Sequence, residues 1–589
     1  MLEREFTGHK IVLILIFVIL FGFTFKYYLP QKSNFSSTEG GTLAIANSDS
    51  DITSNPYNIC VYNPEEISPQ LVGGTFIEAF GNIFSSLHKI SADAVSNSVL
   101  LSETDYQNAD WVSSEYYNSL HYVAEGNQFN YKSVVNNAIL SKKPPIYYIL
   151  LHIVYSTFQS VDIYRLGFFI NAFFLFFSAL IIHKLGKNYL RSSWVGLAGA
   201  ITYILSMGCF SATLCITPYI IVGFLALCTL NLHLLALDKE KVPIYALILL
   251  FFVNIIGNLT DYSYLLFSII LSLCVTFWFL FLDNMKKFSL MLLETILSLF
   301  FTTILYPSFL LHIGTGQILS WHHFMAKTSM KQLSTDLLTN TNILLEQLFS
   351  KTFYIIGVCL FLLFICSLFF KKGTFAHHWN NFKERAYHGN FADLLLPALV
   401  LLYIGTLTFF YGSDNYFILT TSLPFISLFL SYLSYRFCHA LIHSEFNSGL
   451  ITTGFLLLIS TVSIVISEPH LEFDQNECEI TYASETETDN CIFLTSDTLS
   501  SKDHISEIAS FDQSIVISSA KINIFKKELS LKNLPSVIVF LSNDDFVNGT
   551  IDKLTNLGNF LVAEQLTNKV DENGNSIYVY ELSKHPVQQ

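Results

Sequence analysis

Ser141–Phe158 reads "SKKPPIYYILLHIVYSTF", and the assignment of this stretch decides the fold of the chain. Two lysines and two prolines lead into an apolar run that contains one histidine and no charged residue. A helix needs roughly 20 apolar residues to cross the ~30 Å hydrocarbon core of a bilayer, and this run is shorter. Because proline suits the first turn of a helix, Pro144 and Pro145 predict a juxtamembrane helix over 144–158 that does not span.

The composition of the whole chain predicts an α-helical polytopic membrane protein. Of its 589 residues 52% are hydrophobic and 13% are charged, whereas soluble domains carry about 25% charged residues. Apolar blocks of membrane-crossing length recur along the chain. We predict about eleven transmembrane helices, at 11–29, 163–182, 194–211, 217–237, 242–258, 263–282, 288–306, 352–370, 392–411, 416–433 and 449–467.

The positions of Lys and Arg set the predicted orientation of these spans. Basic residues recur in alternate connections, for example Lys184 and Lys286, while the short turns 212–216 and 259–262 contain none. An excess of Lys and Arg marks cytoplasmic loops. The asymmetry holds only if 144–158 lies at the outer surface, so we predict a cytoplasmic N-terminus and an extracytoplasmic C-terminal domain.

Four segments follow from this assignment. Residues 1–29 form the N-terminal segment and first span, and 30–162 form an extracytoplasmic loop that contains the helix 144–158. Residues 163–467 form the multi-span domain. The tail 468–589 alternates short apolar runs such as "SVIVFLS" and "SIYVYEL" with polar stretches, which predicts a soluble α/β domain outside the membrane.

Charge and motifs exclude some partners and leave others open. The net charge is −14 and neither soluble segment carries a basic stripe, so we expect no nucleic-acid partner. The sequence shows no required cofactor, and we predict no metal site, although the use of a divalent metal stays open. Cys478 and Cys491 flank a polar stretch of the tail, and whether they pair is open as well.

Several ordered segments carry a family resemblance. They are "ADWVSSEYYNSLHYVAEGNQFNYKSVVNNAILSKKPPIYYILLH" at 109–152, "NLTDYSYLLF" at 258–267 and "DNYFILTTSLPFISLF" at 414–429. In this order they resemble the first outer loop, an outer span end and a late span of the GT-C superfamily of membrane glycosyltransferases. That group includes protein O-mannosyltransferases and lipid A aminoarabinose transferases, and the resemblance covers nearly the whole chain.

The resemblance implies roles for particular residues. In this family the sugar is carried on a polyprenyl phosphate, and an acidic residue of the first outer loop acts as general base on the acceptor. Glu78, in "QLVGGTFIEAFGNIFSS" at 70–86, is the catalytic residue that we expect on this basis. Tyr148 and His152 share a helix face through their i, i+4 spacing. The expected substrate-binding residues are Lys143, Tyr148, His152, Asp261 and His322.

The resemblance predicts a transferase of the hexosyltransferase type. It would move a sugar from a polyprenyl-phosphate donor to an acceptor of the bacterial cell envelope. Partners would be the polyprenyl-phosphate lipid, the membrane and an envelope-assembly protein that binds the C-terminal domain. The chain departs from the family at Lys143 and Asp261, which stand where histidines are typical. These departures support an alternative hypothesis, a catalytically degenerate GT-C-fold protein that acts as a lipid-binding or partner-binding scaffold.

Overall fold

The described part of the chain falls into two units. The computed structural model describes residues 2–32, 35, 37–48, 111–114, 121–123, 126–238, 242–282, 284–314, 333–350, 391–412, 416–466, 488–495, 510–518, 531–542, 547–570 and 576–584. The membrane unit comprises Met1–Leu29 and Gly167–His470. The loop–tail unit comprises Pro30–Leu166 and Leu471–Gln589, so it combines the first loop with the C-terminal segment.

The described residues are mostly helical, and the strands among them lie in the loop–tail unit. The helices are α1 (Leu2–Tyr27), α2 (Ser37–Asn47), α3 (Tyr131–Leu140), α4 (Ile146–Thr157), α5 (Ile163–Tyr189), α6 (Ser193–Ile204), α7 (Met207–Leu214), α8 (Tyr219–Asp238), α9 (Ile244–Asn258), α10 (Tyr262–Phe281), α11 (Met285–Leu305), α12 (Ser308–Gly314), α13 (333–350), α14 (Phe391–Tyr411), α15 (Leu423–Ile442), α16 (Glu445–Ile466) and α17 (Val547–Gly558). Short 3₁₀ helices lie at Leu29–Gln31, Phe417–Ser422 and Leu531–Asn533.

The membrane unit contains helices that can cross a bilayer. Among the described residues, seven helices are long and apolar enough to span, or eight if α6 and α7 form one bent span. Large apolar side chains on the helix surfaces, such as Ile244, Leu401 and Val465, are more than two-thirds exposed and suit contact with lipid. The chain is therefore an integral multi-pass membrane protein. The count of about eleven and the orientation stay predictions, and the predicted span 352–370 lies outside the described residues.

The predicted span 194–211 is a bent pair of helices. The axes of α6 and α7 are inclined by 51° across a short break. Ser206 lies in this break, and its hydroxyl accepts a hydrogen bond from the backbone N–H of Cys209 at 3.4 Å. A serine at the N-cap position starts a new helix. The break therefore has a local cause, which is an N-cap within an otherwise apolar stretch.

A chain of buried hydrogen bonds joins four helices of the membrane unit. Glu294 on α11 is 6% exposed, and its Oε1 accepts a bond from Asn254 Nδ2 on α9 at 3.0 Å. Asn254 Oδ1 accepts from the Tyr264 hydroxyl of α10 at 2.8 Å. That hydroxyl lies 2.5 Å from Thr229 Oγ1 of α8. Inside a bilayer polar groups have to find partners within the protein, and these hydrogen bonds pair polar side chains of four helices with one another.

In the loop–tail unit, α2, α3 and α4 pack against one another. The structure confirms a helix in the Pro-Pro stretch, from Ile146 to Thr157, and its 12 residues are too few to cross a bilayer. Most of its residues are buried, Tyr147, Leu151 and Tyr155 among them. Its apolar character is thus explained by packing inside this unit.

The C-terminal segment contributes five strands to a mixed six-stranded sheet, in agreement with the predicted α/β domain. The strands are β1 (Val112–Ser113), β2 (Asn490–Thr495), β3 (Gln513–Ser518), β4 (Ser536–Ser542), β5 (Val562–Val570) and β6 (Ser576–Ser583), in the order β1-β3-β2-β4-β6-β5. β2 pairs in parallel with β3 and β4, and the other pairs are antiparallel. β1 comes from the first loop, so this loop contributes an edge strand to the sheet.

Candidate functional site

A buried ion pair lies at the start of the first loop. Glu39 is in the first turn of α2, where the helix dipole favours a negative charge. The Lys32 ammonium group donates to Glu39 Oε1, and the two side chains are 1% and 0% exposed. Removing a charge from water costs several kcal/mol unless the charge is paired. Lys32 therefore supplies the partner that offsets the burial of the Glu39 side chain.

Aromatic side chains surround this pair. The Lys32 ammonium lies 5.4 Å from the centroid of the Tyr164 ring, and the Phe35 ring stacks on Tyr164 at 4.3 Å. Burial, and then the charge of Glu39, raise the pKa of the Tyr155 hydroxyl. Tyr155 is 3% exposed. We call Lys32, Phe35, Glu39, Tyr155 and Tyr164 the Glu39 cluster.

Side-chain amides and hydroxyls fix α2 to its neighbours. Asn137 Nδ2 on α3 donates to the backbone carbonyl of Ser48 at 2.9 Å and to its hydroxyl at 3.1 Å. The Ser133 hydroxyl donates to the same carbonyl at 3.0 Å. Asn47 Nδ2 donates to the backbone carbonyl of His121 at 2.5 Å. The bonds from Asn137 and Ser133 satisfy the Ser48 carbonyl at the C-terminal end of α2, and the bond from Asn47 ties this helix, which carries Glu39, to His121.

Three of the predicted site residues lie in the same unit as the Glu39 cluster. Lys143 is exposed in the turn between α3 and α4, whereas Tyr148 and His152 are buried on α4. Burial lowers the pKa of His152 to about 4, partly offset by backbone groups of Ala46 and Asn127 that approach the ring. Among the described residues, neither ring nitrogen has a hydrogen-bond partner of good geometry.

Two further predicted site residues, Glu78 and His322, lie outside the described residues, so their roles stay predictions. Sequence reasoning overlooked Glu39, although it lies in the first loop, soon after the first span. The signal was the distance from the end of α1 at Tyr27. The acid that the sequence predicts, Glu78, lies further along the loop.

Asp261 lies in the membrane unit, at the N-cap of α10. Its Oδ1 accepts bonds from the backbone N–H of Ser263 at 2.8 Å and from the Ser263 hydroxyl at 2.6 Å. The residue is 8% exposed. An aspartate at this position satisfies a free N–H group and complements the helix dipole. The local geometry thus explains Asp261 as a helix cap.

Tyrosine hydroxyls connect the same end of α10 to neighbouring elements. The Tyr262 hydroxyl lies 2.5 Å from His312 Nδ1 on α12. The Tyr403 hydroxyl of α14 lies 2.8 Å from Thr421 Oγ1 and donates to the Ser263 carbonyl at 3.4 Å. Three helices and the 3₁₀ helix Phe417–Ser422 therefore meet around the N-terminus of α10. Within the described ranges, no group of three His, Cys, Asp or Glu side chains could hold a metal ion.

Solved structures resemble this chain at low sequence identity. No protein-family model and no curated protein matches it. The structure of ArnT from Cupriavidus metallidurans bound to undecaprenyl phosphate covers 85% of this chain and 96% of its own, with 9% identity and a TM-score of 0.41. The same protein in the apo state has 10% identity, the same coverage and a TM-score of 0.38. Because both TM-scores lie below 0.5, the proposed function rests on this chain's own residues.

Proposed function

We propose that this protein is a GT-C-like membrane glycosyltransferase that moves a sugar from a polyprenyl-phosphate donor to an acceptor outside the cell membrane. The observation that carries the proposal is the buried Glu39 carboxylate and its Lys32 partner in the first loop of a multi-span chain. A general base has to be ionised before it accepts a proton, and an unpaired carboxylate in an apolar site tends to be neutral. Lys32 supplies the counter-charge for the buried Glu39 carboxylate.

The reaction assigns one task to each group. The acceptor hydroxyl gives its proton to Glu39, and its oxygen bonds to the anomeric carbon of the sugar. The bond from that carbon to the phosphate oxygen breaks, and the polyprenyl phosphate leaves with the bonding electrons. The leaving phosphate needs positive charge or hydrogen-bond donors. Lys143, exposed in the α3–α4 turn, is the residue we assign to it.

The burial of Glu39 limits how an acceptor can reach its carboxylate. Its side chain is fully covered, so the acceptor has to displace part of this cover to come within about 3 Å of the carboxylate. Contacts of a catalytic base commonly tighten only when substrate is bound. Exposing the Glu39–Lys32 pair costs free energy, and we expect the contacts between the acceptor and the site to supply it.

Transfer from radiolabelled polyprenyl-phosphate sugars to envelope acceptors tests this function. Glu39→Gln keeps the size of the side chain and removes the base, so we expect transfer to fall by about 10²–10⁴-fold. Glu78→Gln is the matched comparison, because Glu78 is the base that the sequence predicts. Thermal unfolding of both variants separates lost chemistry from lost folding.

Two outcomes would contradict the proposal. If a folded Glu39→Gln variant transfers sugar at the wild-type rate, Glu39 is not the base, and loss in Glu78→Gln alone would assign that role to Glu78. If the wild-type protein binds polyprenyl phosphate and transfers none of the sugars offered, the scaffold hypothesis is correct.

A further inference from the structure

Among the described residues of the loop–tail unit, a group of buried polar side-chain atoms has no hydrogen-bond partner. Each side chain is at most 4% exposed. Buried polar atoms in folded proteins nearly always have a partner, and an unpaired one lowers stability. We call these residues the unpartnered group. Its atoms are Asn47 Oδ1, His121 Nε2, Asn137 Oδ1, Tyr155 Oη and the two ring nitrogens of His152.

The members of this group lie around α2. Asn47 is the last residue of α2, and its Nδ2 holds the backbone of His121 at 2.5 Å. Asn137 Nδ2 holds the backbone of Ser48 at 2.9 Å. In each amide the nitrogen is therefore engaged by the fold while the oxygen has no partner. The two free oxygens flank the C-terminal end of α2.

His152 and Tyr155 approach α2 from α4. They are three residues apart and so share one face of that helix. The backbone of Ala46 lies close enough to His152 to act on its pKa, and the charge of Glu39 acts on Tyr155. The unpartnered group therefore extends along α2 from Glu39 to its C-terminal end.

The chemistry of the group is uncharged and mixed. Amide oxygens only accept hydrogen bonds, a phenol both donates and accepts, and a neutral imidazole has one donor and one acceptor. Burial lowers the pKa of both His121 and His152 to about 4, so both rings are neutral at pH 7. The nearby charges of Lys32 and Glu39 are of opposite sign and paired. The unpartnered group therefore favours neither an anion nor a cation.

We propose that the unpartnered group binds the hydroxyl groups of an uncharged saccharide next to Glu39. A sugar hydroxyl can donate to the amide oxygens of Asn47 and Asn137 and accept from the imidazole or phenol. A phosphate only accepts, so it would place its charge against both amide oxygens. An ammonium group would meet Lys32. The proposal names the acceptor class for the site of Glu39, and it therefore rests on the proposed function.

Tyr155→Phe is the variant that isolates this role. Its hydroxyl makes no hydrogen bond to the described part of the chain, so we expect its removal to leave the packing of α4 intact. The matched control is Tyr122→Phe, because Tyr122 is 49% exposed and outside the group. His152→Phe removes two further unpartnered atoms and gives a second, independent variant.

The experiment is a binding titration of the full-length protein in a detergent without a sugar head group. Saturation-transfer NMR would follow the methyl glycosides of glucose, galactose and mannose, with glucosamine and glucose 1-phosphate as charged counterparts. We expect saturable binding of at least one methyl glycoside and weaker binding of both charged sugars. Tyr155→Phe and His152→Phe should weaken that binding by about fivefold or more, and Tyr122→Phe should leave it unchanged.

Three results would overturn this inference. The first is unchanged binding in Tyr155→Phe, and the second is tighter binding of a charged sugar. The third is no saturable binding of any methyl glycoside, which is the result expected when ordered water alone forms hydrogen bonds with these atoms. The readout does not depend on transfer. Binding that depends on Tyr155 in a protein without transferase activity would refute the proposed function alone, and transfer with unchanged binding in Tyr155→Phe would refute this inference alone.

Discussion

Two buried glutamates, one in each unit, are held in different ways. Glu39 in the loop–tail unit pairs with the ammonium group of Lys32. Glu294 in the membrane unit accepts a hydrogen bond from the amide of Asn254 at 3.0 Å. Lys287 lies two turns away on the same helix and is itself buried, but its ammonium donates to the backbone carbonyl of Ala236 at 3.3 Å. The two acids therefore have partners of different charge.

This difference separates a chemical role from a structural one. A cation next to a buried carboxylate stabilises the ionised form, which is the form that removes a proton. An amide next to a carboxyl group supplies a hydrogen bond without a charge. The amide oxygen of Asn254 in turn accepts a hydrogen bond from the Tyr264 hydroxyl. Glu39 is thus suited to proton transfer, and Glu294 to the joining of helices.

The largest effect that we expect comes from Lys32→Met. This change leaves the Glu39 carboxylate buried without its counter-charge, which lowers the free energy of unfolding by about 3–5 kcal/mol. Hydrogen exchange of the peptides that contain α2 and α4 measures the loss. Lys132→Met is the control, since Lys132 is an exposed lysine on α3 of the same unit and should change stability by less than about 0.5 kcal/mol.

A double variant sharpens this test. Lys32→Met combined with Glu39→Leu removes both charges and fills the space with apolar atoms, so most of the lost protection should return. Equal protection in Lys32→Met and Lys132→Met would show that the pair does not hold the loop–tail unit together.

The next effect concerns the packing that supports Glu294. A Cβ added at Gly257 would lie 2.2 Å from Cε1 of Tyr264, the residue that continues the hydrogen-bond chain. Gly257→Ala therefore forces the ring to move and should lower the free energy of unfolding by about 1–3 kcal/mol. Gly405→Ala on α14 meets nothing within 4 Å and is the control. Thermal unfolding should order the variants with Gly405→Ala at or above the wild type, and the reverse order would contradict the packing argument.

The stability of the loop–tail unit should depend on pH through His152. His152 has a pKa of about 4 in the fold and about 6.5 when unfolded, so the unfolded chain binds more protons between these values. The stability of the loop–tail unit should fall as pH decreases below about 6.5, by up to about 1.4 kcal/mol per pH unit for this residue. His152→Phe should flatten the profile, which hydrogen exchange at pH 5 and pH 7 would show. An identical slope in wild type and variant would contradict the assignment.

The sequence predicts the regular parts of both units and misses the parts on which the candidate site depends. The apolar runs "SIVISS" and "SVIVFLS" appear as β3 and β4, because alternating or continuous apolar residues bounded by turns favour strands. The helix in the Pro-Pro stretch appears two residues later than predicted at its start. Each of these elements carries its signal in its own residues.

The missed elements depend on contacts that a local pattern does not contain. α2 holds Gly40 and Gly41 in mid-helix, where glycine costs about 1 kcal/mol per residue, so its sequence does not indicate the helix that carries Glu39. β1 is two residues long, and its pairing with β3 alone defines it as a strand. The unpartnered group joins residues from Asn47 to Tyr155, which are brought together only by tertiary packing.

The smallest effect that we expect comes from Glu294→Gln, and it tests the comparison most directly. The glutamine oxygen can still accept from Asn254 Nδ2, so the free energy of unfolding should change by about 1 kcal/mol or less. Glu294→Leu removes the acceptor and leaves the amide unpaired, which should cost more, about 1–3 kcal/mol. Thermal unfolding of both variants measures the difference, and sugar transfer should be retained in Glu294→Gln. Loss of transfer in a stable Glu294→Gln variant would show that this carboxyl group acts through its charge, and the division between a catalytic and a structural glutamate would then be wrong.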